Sequence, residues 1–181
     1  MKIFTGLLSL SLVLVSLNSF AGQDDQLIKV NEYKDKLQNA FTLYQSSNYE
    51  QALPALEEMA KQGEKRAQYI VGTMYLNAQG VKQDLYKSYA WLKVANEQKS
   101  VRWRKPLLML DEQLSSEHLE IMRQEADQYI DKYGVKAQRL ICRKVKTLGS
   151  KKRTHKCSKS EVKKGYYFAS AMQRDEKIAL N

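Results

Sequence analysis

Cys142 and Cys157 are the only two cysteines in a chain of 181 residues, and two thiols with no third leave a disulfide, a metal site or a redox pair as their chemistry. No C-x-x-C spacing is present, so a thiol-disulfide oxidoreductase is excluded first. Zinc would take His155 with the two sulfurs, but a fourth ligand is missing and the surrounding cations oppose a dication. A disulfide is the economical reading. The only histidines, His118 and His155, stand outside any recognisable Ser/His/Asp or Cys/His arrangement, and there is no Walker or dinucleotide glycine motif. The expectation is therefore a protein with no catalytic residues, no metal and no cofactor, and not an enzyme.

Charge singles out the same region. Residues 138–164 hold eleven Lys and Arg against one acid, Glu161, whereas residues 22–137 hold sixteen basic and seventeen acidic side chains. Nearly all the excess positive charge is thus in one short segment, and such asymmetry marks a module boundary. Within it, Leu140–Thr147 and Lys152–Cys157 are alternating and β-branched, and Gly149-Ser150 between them suggests a two-residue hairpin turn. Counting outward from that turn puts Cys142 opposite Cys157. Strict counting makes this a hydrogen-bonded pair, the less usual site for a bridge, which suggests a bulge near Cys157. Arg143, Lys144, Lys151, Lys152, Arg153 and Lys156 are the candidate anion contacts on this ribbon. After it, Ser158-x-x-Glu161 reads as a capping box opening a final helix with Val162, Tyr166 and Ala169 on one face.

The elements that must position this ribbon are helical. Residues 1–21 read as a secretory signal peptide: Lys2, an apolar run from Leu7 to Leu17, and Ser19-Phe20-Ala21 as the cleavage site. That run is too short to span a bilayer and no later stretch is long enough, so the mature chain is expected to have no transmembrane segment. Tyr33, Leu37, Ala40, Phe41 and Tyr44 recur at helical spacing, ending at Ser46-Ser47-Asn48. Tyr49, Ala52, Leu53, Leu56 and Ala60 repeat the pattern up to Gly63, with Pro54 expected to kink that helix or mark a late start. Ala67, Ile70, Val71, Met74 and Tyr75 make a third stripe. Trp103, Leu107, Leu110 and Leu114 make another, and Ser115 caps a last one running from Leu119 to Tyr133, closed by Gly134 as a C′ residue. Short connections make neighbouring helices antiparallel.

The stretch Ala67–Ala95 closely resembles the Sel-one-like repeat, a relative of the tetratricopeptide repeat, on Ala67, Gly72, Tyr75, Gly80, Val81, Asp84, Trp91 and Ala95. Small Ala67 and Gly72 let two helices approach, large Tyr75 and Trp91 fill the space between them, Gly80 supplies a positive φ, Val81 plugs the loop, and Asp84 caps the second helix. Two positions depart from the family: Ala78 and Lys99 stand where it has glycine. No freer glycine is required at Ala78 on this reading, and the turn after Gln98 is expected to lengthen. Tyr49–Gly63 and Tyr33–Tyr44 resemble a diverged preceding repeat.

The expected architecture is mainly α: a signal peptide (1–21), a short tetratricopeptide-like α/α-hairpin stack (22–134), then residues 135–181 with a small disulfide-stapled basic β-hairpin (about 139–158) and a C-terminal helix. The resemblance implies a protein-protein adaptor with an unknown protein partner, and the signal peptide implies secretion by the general export pathway, to the periplasm of a Gram-negative bacterium. Striped aromatics such as Tyr33, Tyr75, Trp91, Trp103 and Tyr129 are expected in the core. Gln68, Tyr69, Tyr86 and Tyr89, off the stripe, are the groove candidates. A second reading is a binder of anionic envelope polymer or lipid surface through the hairpin, with nucleic acid bound only nonspecifically; a third is an envelope enzyme with an unrecognised site.

Overall fold

The structure is a computed structural model that describes residues 27–146 and 153–169. The expected signal peptide and the Gly149-Ser150 turn lie outside the described residues.

Six helices carry the stack: α1 (Val30–Gln45), α2 (Tyr49–Lys61), α3 (Lys65–Leu76), α4 (Leu85–Asn96), α5 (Val101–Gln113) and α6 (Ser116–Tyr133). Each helix packs on the next from α1 to α5, and α6 closes the array by lying along α4 with a lesser contact to α2. Their starts follow the caps expected. Asp84 Oδ1 accepts from the Lys87 N–H, and Ser115 Oγ accepts from the His118 N–H, each satisfying a donor that the first helical turn leaves free. Pro54 and Pro106 both lie inside helices, α2 and α5.

The repeat register holds in space. Gly72 lies so close to α4 that a Cβ there would sit 2.8 Å from Leu92 Cγ, so a side chain at this position would push the pair apart. Two departures from the family pattern resolve differently from expectation. Ala78 has φ 52° and Lys99 φ 54°; both take the left-handed conformation that glycine would adopt there, so neither turn is rebuilt to avoid it. Gly134, expected as a C′ residue, is the residue that ends α6, with φ −74°.

Two apolar clusters share α4 as their wall. Trp91 faces the first, with Tyr33, Leu56, Val71 and Met74; Tyr89 and Leu92 face the second, with Leu107, Leu110 and Met122.

The strands lie after and before the helices. β1 (Leu27–Lys29) precedes α1; β2 (Ile141–Lys146), β3 (Arg153–Ser158), β4 (Glu161–Lys163) and β5 (Tyr166–Phe168) follow α6. β2 and β3 form the expected antiparallel hairpin, while β5 sits between β1 and β4 in a second sheet. This corrects the expected final helix over Val162, Tyr166 and Ala169. Instead of reaching back to Ser158, the Glu161 carboxylate accepts from the Gly165 N–H at 2.8 Å. Gly165, at φ 80°, turns the chain, and Tyr-Tyr-Phe, a strongly β-forming run, pairs with Leu27–Lys29 at the other end of the chain. Phe168 and Ile28 are buried there.

Candidate interaction site

Four half-buried aromatic side chains from α1, the start of α2, α3 and α5 form a row. Tyr44 of α1 meets Tyr49 of α2 at 5.5 Å between ring centroids, and Tyr69 of α3 stacks on Trp103 of α5 at 5.0 Å with planes 11° apart. The Tyr44 side chain lies close to Thr73 and Tyr69 of α3, which brings the two pairs together, and its pKa is raised, chiefly by partial burial. Three of its members thus lie on α1, α3 and α5, the first helices of successive hairpins, with Tyr49 at the start of α2. Trp103, expected in the core, instead leaves part of its ring exposed. Arg102 and Arg104 flank it, and Val101 is 82% exposed.

Of the groove candidates, Tyr69 is on this row. Gln68 and Tyr89 are not surface groups, which corrects that expectation: both are buried. Gln68 Nε2 donates to the Ala60 and Tyr133 carbonyls at 2.8 and 3.0 Å. The Tyr89 hydroxyl donates to Asp111 Oδ1 at 3.0 Å, and its pKa is raised, chiefly by burial. A residue off the apolar stripe by one position still falls inside when helices lie on both sides of it, as they do for α3 and α4. Tyr86 lines a separate cleft of about 420 Å³ with Leu85, Leu114, His118 and Met122. His118 Nδ1 is 2.7 Å from Ser115 Oγ, the cap of α6, so this Ser/His contact belongs to the helix terminus.

Sequence reasoning passed over the polar centre of the stack. Lys65 Nζ donates to Gln68 Oε1, to the Val94 carbonyl and to Glu97 Oε2 at 3.0, 3.1 and 2.7 Å. Burial pushes the Lys65 pKa down, and the Glu97 hydrogen bond opposes the shift. Glu97 Oε2 also accepts from the Val135 N–H at 3.0 Å, and a Cβ on Gly134 would come within 3.2 Å of this carboxylate. The same Cβ would collide with the Ile130 carbonyl, so Gly134 is needed for space. No local pattern marks these residues, since Lys65 and Glu97 are 32 positions apart.

The hairpin joins the helices at the α4–α5 turn. Cys142 and Cys157 are disulfide-bonded with Cα atoms 4.0 Å apart, and no free cysteine remains. Pairing runs unbroken from Ile141↔Ser158 to Lys146↔Arg153, so the bulge suggested near Cys157 is absent. The Cys157 N–H points away from β2 and donates to Gln98 Oε1 at 2.8 Å. The cysteines therefore occupy a non-hydrogen-bonded pair, where Cα atoms approach most closely. His155 Nδ1 lies 3.2 Å from the Gln98 carbonyl. It also lies near both sulfurs, in a Cys142/His155/Cys157 group whose potential ligand atoms are within 4.8 Å of one another. The disulfide engages both sulfurs, so they are not the thiolates zinc requires.

Among the anion candidates, Arg143, Lys144, Arg153 and Lys156 are exposed, and Lys151 and Lys152 lie outside the described residues. Arg143 faces Lys156 directly and Lys146 faces Arg153; like charges directly opposite repel. Strand alternation divides the cations, with Arg143 and Lys156 on one face and Lys144, Lys146 and Arg153 on the other.

A second seam ties the tail sheet to α1 and α3. Lys159 Nζ donates to the Phe168 carbonyl at 2.7 Å and lies 5.9 and 5.8 Å from the centroids of the Tyr33 and Phe168 rings. Burial pushes its pKa down to about 8. The Tyr33 hydroxyl donates to Glu64 at 3.4 Å, and burial raises the pKa of this carboxyl.

Among solved structures, the chain is similar to a protective antigen present in uropathogenic Escherichia coli strains displaying an SLR fold, with a TM-score of 0.51 and 22% identity over 66% of this chain and 27% of that one. The chain thus spans about a quarter of that neighbour's length, 27%, and the likeness establishes the fold: a Sel-one-like helical stack. No family model and no curated protein matches the chain.

Proposed function

We propose that this chain is an exported, non-enzymatic adaptor that holds a protein partner against the face formed by α1, α3 and α5. The observation that carries the reading is the aromatic row Tyr44, Tyr49, Tyr69 and Trp103, half-exposed across successive hairpins. Large, rigid aromatic side chains beside arginine are the groups that anchor protein interfaces. The disulfide supports an oxidising compartment, the periplasm in this reading. A photo-crosslinking residue at Arg102, in protein expressed from its own leader, tests it. The expected result is one dominant protein adduct that disappears when Tyr69 and Trp103 are both changed to Ala in a variant that still folds. Unchanged crosslinking in that variant would overturn the reading.

A second reading rests on the hairpin, where Arg143/Lys156 and Lys146/Arg153 are held opposite each other on a disulfide-closed ribbon. Such repulsion is relieved by a bound polyanion, so an anionic envelope polymer or lipid headgroup surface would be the ligand. Binding should weaken steeply with salt. Reversing Lys151, Lys152 and Arg153 to Glu should abolish retention on anionic liposomes; retention unaffected by salt and by the reversal would remove this reading.

A further inference from the structure

The hairpin has two long edges, and they are not equivalent. β3 lies against the α4–α5 turn: its outward-facing Cys157 N–H donates to Gln98 Oε1, and the His155 ring nitrogen lies against the Gln98 carbonyl. The same phase of the ladder turns the N–H and C=O groups of Cys142, Lys144 and Lys146 outward on β2. Among the described residues these backbone groups have no partner. Ile141, 52% exposed, and half-buried Val145 share one face of the edge with Arg143, and Lys144 and Lys146 project from the other.

We propose that the outer edge of β2 receives an extended, acidic polypeptide segment as an added antiparallel strand. This rests on the reading of the protein as an interaction module, but on a surface separate from the aromatic row. Exposed edges of this kind are templates for strand addition, and edge lysines are a usual guard against the wrong partner. Here charge selects the occupant. A second copy of β2 would set Lys and Arg against Lys and Arg, whereas carboxylates opposite Arg143, Lys144 and Lys146 would be favourable. The apolar positions Ile141 and Val145 ask for apolar partners. Strand pairing also requires inward N–H groups on the ligand, which polysaccharides and lipid headgroups do not supply at that spacing.

The complementary segment, read antiparallel from Lys146 to Ile141, is Glu-Val-Glu-Glu-Thr-Val, which is the probe. Its third and fifth amides face β2, and its second and fourth face away. Fluorescence anisotropy of the labelled peptide with the disulfide-bonded protein should show saturable binding. N-methylation of the third and fifth residues should weaken binding by about tenfold or more, the scale of one to two lost hydrogen bonds, while N-methylation of the second and fourth should leave it nearly unchanged. Lys144→Glu should weaken the probe and restore binding to a peptide with Lys in the third position. Equal loss from both methylation patterns, or equal binding by unstructured polyglutamate or by phosphatidylglycerol vesicles in competition, would overturn the proposal in favour of bulk electrostatics. Persistence of the Arg102 crosslink in Lys144→Glu would show that a failure here leaves the aromatic face standing.

Discussion

Lys65 Nζ lies 2.7 Å from Glu97 Oε2, with the lysine side chain 1% exposed and the glutamate 27%. The contact joins the start of α3 to the residue that ends α4, and through the Val135 N–H it reaches the segment that leads into the basic hairpin. The energetics of such a pair are asymmetric, because the buried partner cannot regain water when the other is removed.

Glu97→Leu should therefore destabilise the protein by about 3 kcal/mol or more, since it strands the buried ammonium. Lys65→Met should cost less, because Glu97 keeps solvent access and the Val135 N–H. Urea midpoints of the two single variants and the double variant check this; the double should be closer to wild type than additivity predicts.

Trp91→Ala should cost about 3 to 5 kcal/mol as a large-to-small core change, since its ring lies against Tyr129 and Tyr133 at 5.0 and 5.1 Å. Gln68→Ala should cost about 1 to 3 kcal/mol, because the Ala60 and Tyr133 carbonyls lose their shared donor. Tyr86→Ala, at the rim of an open cleft, should stay within about 1 kcal/mol of wild type. The ranking Trp91, Gln68, Tyr86 in denaturant midpoints is the expected order.

Ala78 and Lys99 hold left-handed backbone without glycine, a conformation that costs an L residue about 1 kcal/mol or more. Ala78→Gly and Lys99→Gly should each leave the protein unchanged or raise its stability by up to about 1 kcal/mol, opposite to the usual effect of introducing glycine. Thermal midpoints lower than wild type would contradict the backbone assignment.

Reduction of Cys142–Cys157, which are 15 residues apart, should destabilise the hairpin by about 3 kcal/mol in the chain-entropy account. Limited proteolysis at the basic segment should accelerate on reduction while the helical circular dichroism persists. The unreduced protein should react with no thiol reagent, as it has no free cysteine.

Lys159 gives a pH signature. Its folded pKa is pushed down to about 8 by burial, against 10.5 ordinarily, with the Glu64 charge pulling the other way. Between those values the unfolded chain binds more protons than the native one, so this group makes stability rise with pH across that window. Burial holds the neighbouring Tyr33 hydroxyl well above the window. In Lys159→Met the rise should shrink, measured as the difference in urea midpoint between pH 7.5 and pH 10. An unchanged difference would place the lysine in solvent.

Sequence alone determined the parts of this protein that depend on neighbours along the chain. Helical periodicity placed the stripes, Asp84 and Ser115 marked helix starts, Gly72 marked a close helix approach, and two cysteines across a short ribbon had only each other as partners. Tertiary structure decided what depends on distant partners. Ser158–Ala169 carries a local helix signal, yet it forms strands because Tyr166–Phe168 finds Leu27–Lys29 far away in the chain, and pairing plus burial of Phe168 outweighs a capping box of about 1 kcal/mol. Gln68 and Tyr89 look exposed on a single helix but are covered by the helices on either side. Lys65 and Glu97 look like ordinary surface charges until α3 and α4 bring them together. Trp103 sits on an apolar stripe, but it stacks on Tyr69 and stays only half-buried among the described residues, as part of the aromatic row.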